Sequence, residues 1–340
     1  MSSRRKFLKK SIIIPSIMIL PRHVLGGKGY TSPSDKLNIA GVGVRKWGMG
    51  SGNLSSCETE NIVALCDVDH KLSAETFNKY PKAKVYKDFR VMLETQKDID
   101  AVIVATPDHT HAIISMMSIK LGKHVFCQKP LTHTVYEARV ITETARKYKV
   151  QTQMGNQGRS SEEIRRLKEW IDDGAIGPVR KVYAWTDRPV GGNPWDTFDA
   201  KAKPKEKPPI PKGLDWDLWL GPAKYRNYHP SYHPNSWRAW IDFGTGSMGD
   251  MGCHIIDPSF YALELGAPSE IQATSTHWIP EVESQTYPSA SIVRMKFPKR
   301  GNHPELELTW SDGRILPPIP EEFKDTDKFT LSGAMIIGDK

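Results

Sequence analysis

The chain has 340 residues, enough for two domains that each bury a core of their own. Its net charge of +8 would suit a nucleic-acid binder, but seven of its 47 lysines and arginines fall in residues 1–30, which carry no acid, and the rest holds 40 bases against 39 acids. That near-neutral body excludes a phosphate-backbone footprint, and four scattered cysteines (Cys57, Cys66, Cys127, Cys253) without a C-x-x-C pair exclude a disulfide framework and a cysteine zinc site.

The basic front Ser3-Arg4-Arg5-Lys6-Phe7-Leu8-Lys9 precedes the apolar run Ser11–Leu20 and reads as a twin-arginine export signal over residues 1–27. Its apolar core is about ten residues, short of the roughly 20 that span a bilayer. No stable membrane span is expected, and the protein is expected to reach the periplasm or cell envelope.

Next comes a short buried strand ending in glycines, Leu37-Asn-Ile-Ala-Gly41-Val-Gly43, and then Asn61-Ile-Val-Ala-Leu-Cys-Asp67. A turn without Cβ atoms admits a pyrophosphate, and Asp67, 26 residues after Gly41, stands near the spacing of a carboxylate that accepts ribose hydroxyls. This favours NAD over NADP, whose 2′-phosphate Asp67 would repel unless Arg45 or Lys46 turned toward it. Lys46 occupies the third-glycine position of G-x-G-x-x-G, so the glycines alone are equally a tight strand-helix turn. Further apolar strands at Ile99–Ala105 and Lys123–Cys127, separated by a helix over His111–Leu121, make the alternation of a parallel α/β sheet.

The strand to Cys127 runs into Gln128-Lys129-Pro130, which aims Lys129 at the carboxyl edge of the sheet, with a candidate cis bond before Pro130. Six of the ten tryptophans lie between Trp185 and Trp240. Trp195, Arg238 and Trp240, with Arg226, His229 and His233 nearby, suit a sugar ring with apolar faces and a hydroxyl rim; the alternative is that the tryptophans fill a core. No third ligand accompanies His229 and His233, so no metal is expected. Beyond them, Asp250, His254 and Asp257 share one helix face in a glycine-rich stretch that Pro258 should loosen. Two flanking carboxylates would favour the protonated imidazole. Strands recur at Glu270–Trp278, Ala290–Phe297, Glu305–Trp310 and Phe329–Ile337, consistent with an antiparallel sheet.

Gly41-x-Gly43, the run Ala105-Thr106-Pro107 with His111, the Lys129-Pro130 strand end and Asp250-x-x-x-His254 together resemble the glucose-fructose oxidoreductase, inositol dehydrogenase and MocA family (Gfo/Idh/MocA). The resemblance covers nearly everything after the signal. It implies a Rossmann domain over 36–155 and an α+β domain with an open, mostly antiparallel sheet over 156–340, C-terminally incomplete because the family's second domain normally continues. It further implies hydride transfer between a sugar or polyol hydroxyl carbon and tightly bound NAD. Lys129, Asp250 and His254 match the catalytic positions, and Thr106, His111 and Asn156 match positions lining the cofactor beside Gly41, Gly43, Arg45, Asp67 and Gln128. Gln128 replaces the usual glutamate. A homo-oligomer is expected. Alternatives are an NAD-dependent glycosidase that oxidises its sugar transiently, and a non-catalytic sugar- or cofactor-binding protein.

Overall fold

The computed structural model describes residues 31–46, 48–189, 204–276, 285–321 and 329–340; the expected export signal and Trp195 lie outside them. Strands and helices alternate through the first half: β1 (Asn38–Val42), α1 (Met49–Ser55), β2 (Asn61–Cys66), α2 (His70–Lys79), β3 (Lys84–Tyr86), α3 (Phe89–Thr95), β4 (Ala101–Val104), α4 (Asp108–Lys120), β5 (His124–Gln128), α5 (Val135–Tyr148) and β6 (Thr152–Gly155). The six strands are parallel, in the order β3-β2-β1-β4-β5-β6. Strand order reverses between β1 and β4, and at such a switch point a doubly wound sheet opens a crevice for ligands.

Successive residues of each strand feed opposite layers. Ala40, Val42, Ala64, Cys66, Val102 and Val104 pack with Met92, Ile114 and Ile141 of α3, α4 and α5, whereas Ile39, Leu65 and Ile103 pack with Leu54 of α1. Because both faces are covered, the strands are continuous apolar runs, each buried aliphatic side chain contributing roughly 2 kcal/mol. Helix α4 starts three residues before the expected His111 because Pro107, extended at φ −60° and ψ 152°, serves as its N-cap residue. Asp69 caps α2 by accepting from the N–H groups of Lys71 and Leu72, and Thr134 forms a capping box with Glu137 on α5.

The second sheet has the order β11-β7-β10-β9-β8, from β7 (Val179–Trp185), β8 (Glu270–Ser275), β9 (Ser291–Phe297), β10 (Leu306–Ser311) and β11 (Gly333–Gly338). Only the β7–β10 pair is parallel. Helices α6 (Glu162–Asp172), α8 (Gly246–Ile255) and α9 (Asp257–Ala262) contribute Ile171, Ile255 and Ala262 to the cores of this domain, beside Val182, Leu308 and Trp310 from its strands. The expected loosening near Pro258 takes the form of a break at Ile256, which separates α8 from α9.

Residues 204–243, with α7 (Trp216–Leu220), form a third packed unit. Trp216, Trp219, Tyr232, Trp237, Trp240 and Phe243 cluster there, Trp216 stacking on Trp219 with ring centroids 4.6 Å apart. The unit is fastened to the end of β2: the Asp215 N–H donates to the Val68 carbonyl at 2.9 Å, and that of His70 donates to the Gly213 carbonyl at 3.2 Å.

Candidate active site

A cleft of about 450 Å³ opens at the carboxyl ends of β1, β2, β4 and β5, bounded on its other side by residues of α7, the 233–238 segment and Asp250 of α8. Its floor begins at Gly43, where the chain leaves β1 with φ +80°; a Cβ there would stand 2.7 Å from the Ala105 carbonyl oxygen. The third glycine is Gly50 in α1, not a residue at position 46: a Cβ on Gly50 would overlap the Gly43 carbonyl oxygen, so its absence lets the helix abut the turn. The loop is four residues longer than G-x-G-x-x-G. Lys46 itself ion-pairs with Glu75 on α2.

Asp67 lines the cleft at the end of β2, its Oδ2 accepting from the Val44 N–H (2.8 Å) and its Oδ1 from the Asp69 N–H (2.9 Å). Burial raises its pKa against those bonds. The carboxylate thus pins the glycine turn. Arg45 reaches over the loop to the Pro234 carbonyl (3.3 Å) and Asn235 Oδ1 (2.8 Å), while His233 Nε2 meets Asp69 at 3.1 Å, so the 233–235 segment is strapped to the Rossmann edge. A cleft with a glycine turn, a buried carboxylate at the second strand's end and Thr106 and Gln128 along its wall fits a dinucleotide. Gln128 is neutral and donates from Nε2 to Asn53 Oδ1 at 2.8 Å.

Three expected cofactor residues act from behind the cleft. Gly41 lies under the turn, where a Cβ would stand 2.8 Å from Val44 Cγ1. His111 is buried, Nδ1 standing 2.7 Å from the Pro130 carbonyl and Nε2 2.8 Å from the Thr106 carbonyl. Burial alone would lower its pKa; Cys127, the Asp108 carboxylate and the Pro130 carbonyl overcome that and push it up to about 9. Asn156 donates to the Cys253 carbonyl at 2.6 Å, tying α8 to the end of β6.

Lys129, which also lines the cleft, follows β5 and precedes a cis bond to Pro130. Its Nζ donates to Asp250 Oδ1 at 2.6 Å and to the Asp250 main-chain oxygen at 2.7 Å. Arg188 bonds the other carboxylate oxygen, and Arg238 Nε stands 3.5 Å from Oδ1. Burial would raise the Asp250 pKa, but Lys129, Arg238 and Arg188 outweigh it and hold it at about 2.

His254, one turn along α8, is half-buried and, unlike Lys129 and Asp250, is not among the residues lining the cleft. Its pKa falls below the usual imidazole value through desolvation first and the Lys129 charge second, with Asp250 only partly offsetting them. This corrects the expectation of a protonated ring between two carboxylates: Asp250 is spent on three cations, and Asp257 pairs with Arg159 at 3.0 Å instead. Arg188 escaped the sequence reading, having no local signal.

The aromatic segment also needs correction. Trp240 is 2% exposed and donates from its indole to the Ser231 carbonyl, so it is core and not a sugar platform. Arg226 is buried among Tyr232, Trp240 and Phe243 and pairs with Asp242. His229 bonds Ser231. Trp219, Trp237 and Arg238 do reach the cleft. The glycines before Asp250 make room for protein: at Gly246, φ +64°, a Cβ would stand 2.7 Å from the Tyr287 ring.

Two family models match in succession, an oxidoreductase family NAD-binding Rossmann fold over residues 37–156 and an oxidoreductase family C-terminal alpha/beta domain over 160–280. The chain belongs to the Gfo/Idh/MocA oxidoreductase family. This member is 25% identical to levoglucosan dehydrogenase of Pseudarthrobacter phenanthrenivorans over 221 residues, 64% of this chain and 46% of that one. It is 28% identical to D-glucoside 3-dehydrogenase of Escherichia coli over 278 residues, 80% and 78% of the two chains. With inositol 2-dehydrogenase of Salmonella typhimurium it shares 30% identity over 154 residues, 44% of each. The match thus spans just under half the length of levoglucosan and inositol 2-dehydrogenase. Among solved structures, levoglucosan dehydrogenase in complex with NADH and L-sorbose superposes with a TM-score of 0.59 at 19% identity (89% of this chain, 71% of that one). An NAD-binding oxidoreductase from Klebsiella pneumoniae gives 0.60 at 20% (89% and 70%). These likenesses show the shared fold.

Proposed function

We propose that this family member catalyses hydride transfer between a hydroxyl-bearing carbon of a sugar or polyol and tightly held NAD. The observation that carries the reading is the meeting of Lys129 with Asp250 in the wall of the cleft that also holds the glycine turn, with His254 one helical turn from Asp250 and within reach of the Lys129 charge. NAD bound there supplies a hydride acceptor in its nicotinamide ring. The chain's own residues do the rest. His254 accepts the hydroxyl proton in its neutral form. Lys129 has three N–H groups, two of which go to Asp250, and the third donates to the substrate oxygen as negative charge develops there. Asp250, gripped by Arg188 and Arg238, holds Lys129 in that direction.

The curated relatives, dehydrogenases of levoglucosan, D-glucosides and inositol, support a carbohydrate substrate. The test is to mix the purified protein, with its nucleotide, and a panel of sugars and aryl glycosides. Stoichiometric NADH supports the dehydrogenase. Aglycone release without NADH points instead to a redox-assisted glycosidase, and no hydride exchange with any sugar refutes both.

Export is part of the same proposal, supported by Arg4-Arg5 and the apolar run to Leu20. Replacing Arg4 and Arg5 by lysine in the full-length chain should leave the protein in the cytoplasmic fraction; unchanged export would exclude the twin-arginine route.

A further inference from the structure

We propose that the 204–243 unit forms the outer wall of an adenosine pocket, with Leu218 and Pro222 over the adenine ring, and that this wall must open before the nucleotide leaves. The inference rests on the dinucleotide reading of the cleft and deepens it.

Asp67 marks the place of the adenosine ribose, because a carboxylate at the end of the second strand of a doubly wound sheet accepts from its hydroxyls. The three residues that follow hold the unit. The Val68 carbonyl accepts from the Asp215 N–H at 2.9 Å, Asp69 bridges to Leu214, and the His70 N–H donates to the Gly213 carbonyl at 3.2 Å. Helix α7 therefore starts beside the ribose position. Its Trp216, Trp219 and Leu220 are buried in the aromatic core of the unit, whereas Leu218 is half-buried and borders the cleft. Val68, Phe89 and Ile113 line the same cleft from the Rossmann domain, as Leu218 and Pro222 do from the unit. Ile113 is 47% exposed, and a purine seated between these apolar side chains removes it from water.

Two further fastenings hold the wall in place. At the glycine turn, Arg45 donates to Asn235 Oδ1 at 2.8 Å and to the Pro234 carbonyl at 3.3 Å. At the start of α4, the buried His109 has Nε2 3.0 Å from the Trp219 carbonyl and Nδ1 3.3 Å from the Phe243 carbonyl. The unit is thus tied to β2, to the glycine turn and to α4, each of which contributes residues to the cleft. Asn235 does not itself line the cleft, so its replacement loosens the wall without removing a group from the pocket.

The experiment reads release of the nucleotide and not turnover. Full-length protein loaded with NADH is chased with excess NAD and followed by nicotinamide fluorescence. Asn235→Ala should speed release about tenfold or more, the effect of one lost hydrogen bond to a charged group. Asn235→Asp, which keeps an oxygen for Arg45, should release NADH about as slowly as the wild type. Reduced nicotinamide mononucleotide, which lacks the adenosine, should bind all three proteins equally. In the wild type, ADP-ribose should slow amide hydrogen exchange over residues 214–222 about tenfold or more, and nicotinamide mononucleotide should not. That measurement decides alone if Asn235→Ala does not fold. Unchanged NADH release in a folded Asn235→Ala, an equal loss for NADH and the mononucleotide, or exchange over 214–222 indifferent to ADP-ribose overturns the inference. Protection of 214–222 by ADP-ribose with no hydride exchange to any sugar would instead sink the oxidoreductase reading and leave the adenosine wall standing.

Discussion

Lys129 Nζ and the Asp250 carboxylate meet at 2.6 Å, and through that contact the last residue before the Pro130 turn of the Rossmann domain is joined to α8 of the second domain. Sequence places the two residues 121 positions apart. Their contact joins the two domains at the wall of the cleft, beside the Asn156 bond to the Cys253 carbonyl, and it does so through a buried charge.

Replacing that charge exposes the dependence. Asp250→Asn leaves Lys129, Arg188 and Arg238 facing one another, and the loss should be about 3 kcal/mol in denaturant unfolding. The native pKa of about 2 lies below the ordinary 3.8, so the wild-type stabilisation is complete above about pH 4 and is lost as pH falls toward 2. That component is roughly 2 kcal/mol. Asp250→Asn should lack this acid-linked loss, which melts at graded pH will read.

His111 should show the opposite pH dependence. Its pKa is raised from 6.5 to about 9, so its stabilising effect is whole below about pH 6.5 and fades as pH climbs through 9. With both ring nitrogens against carbonyls, only the cation donates twice. Thermal melts between pH 6 and 10 should decline in the wild type, by an amount equivalent to roughly 3 kcal/mol, and His111→Phe should be less stable throughout with a flatter profile.

His254→Gln should lower kcat by about a hundredfold or more while leaving NAD affinity unaltered, the loss typical of a missing general base. Desolvation and Lys129 depress the imidazole pKa, so the acid limb of the wild-type rate profile should fall below the usual histidine range. An acid limb unchanged in the variant would assign the proton to another group.

Two glycines in one short helix predict opposite signs. At Gly50 an added methyl collides with the Gly43 carbonyl, whereas nothing lies within 4 Å at Gly52. Gly50→Ala should weaken NAD binding and cost about 2 kcal/mol or more, and Gly52→Ala should stabilise by about 0.5–1 kcal/mol. Calorimetric titration with NAD and parallel melts compare the pair.

Trp240→Ala should act on stability alone, by about 3–5 kcal/mol, because the ring is fully packed against Tyr232. A variant that instead kept its melting temperature and lost only sugar affinity would restore the platform reading.

Much of this was readable along the chain. Apolar runs such as Ala101–Val104, covered on both faces, and the glycines and Asp67 at strand ends are local signals, because hydrophobic period and backbone freedom are properties of neighbouring residues. Strand β7 was missed: charged Arg180 and Lys181 interrupt a segment whose pairing with β10 and β11 places it inside the sheet. Most of the strand pattern was thus written locally, and the candidate residues Lys129, Asp250 and His254 stand in short motifs. Their electrostatic state was not: which acid meets which base, why His254 is driven toward neutrality, why Trp240 is core and why Gly50 serves as the third glycine all depend on distances between segments far apart in sequence, and charge interaction and steric contact act through space.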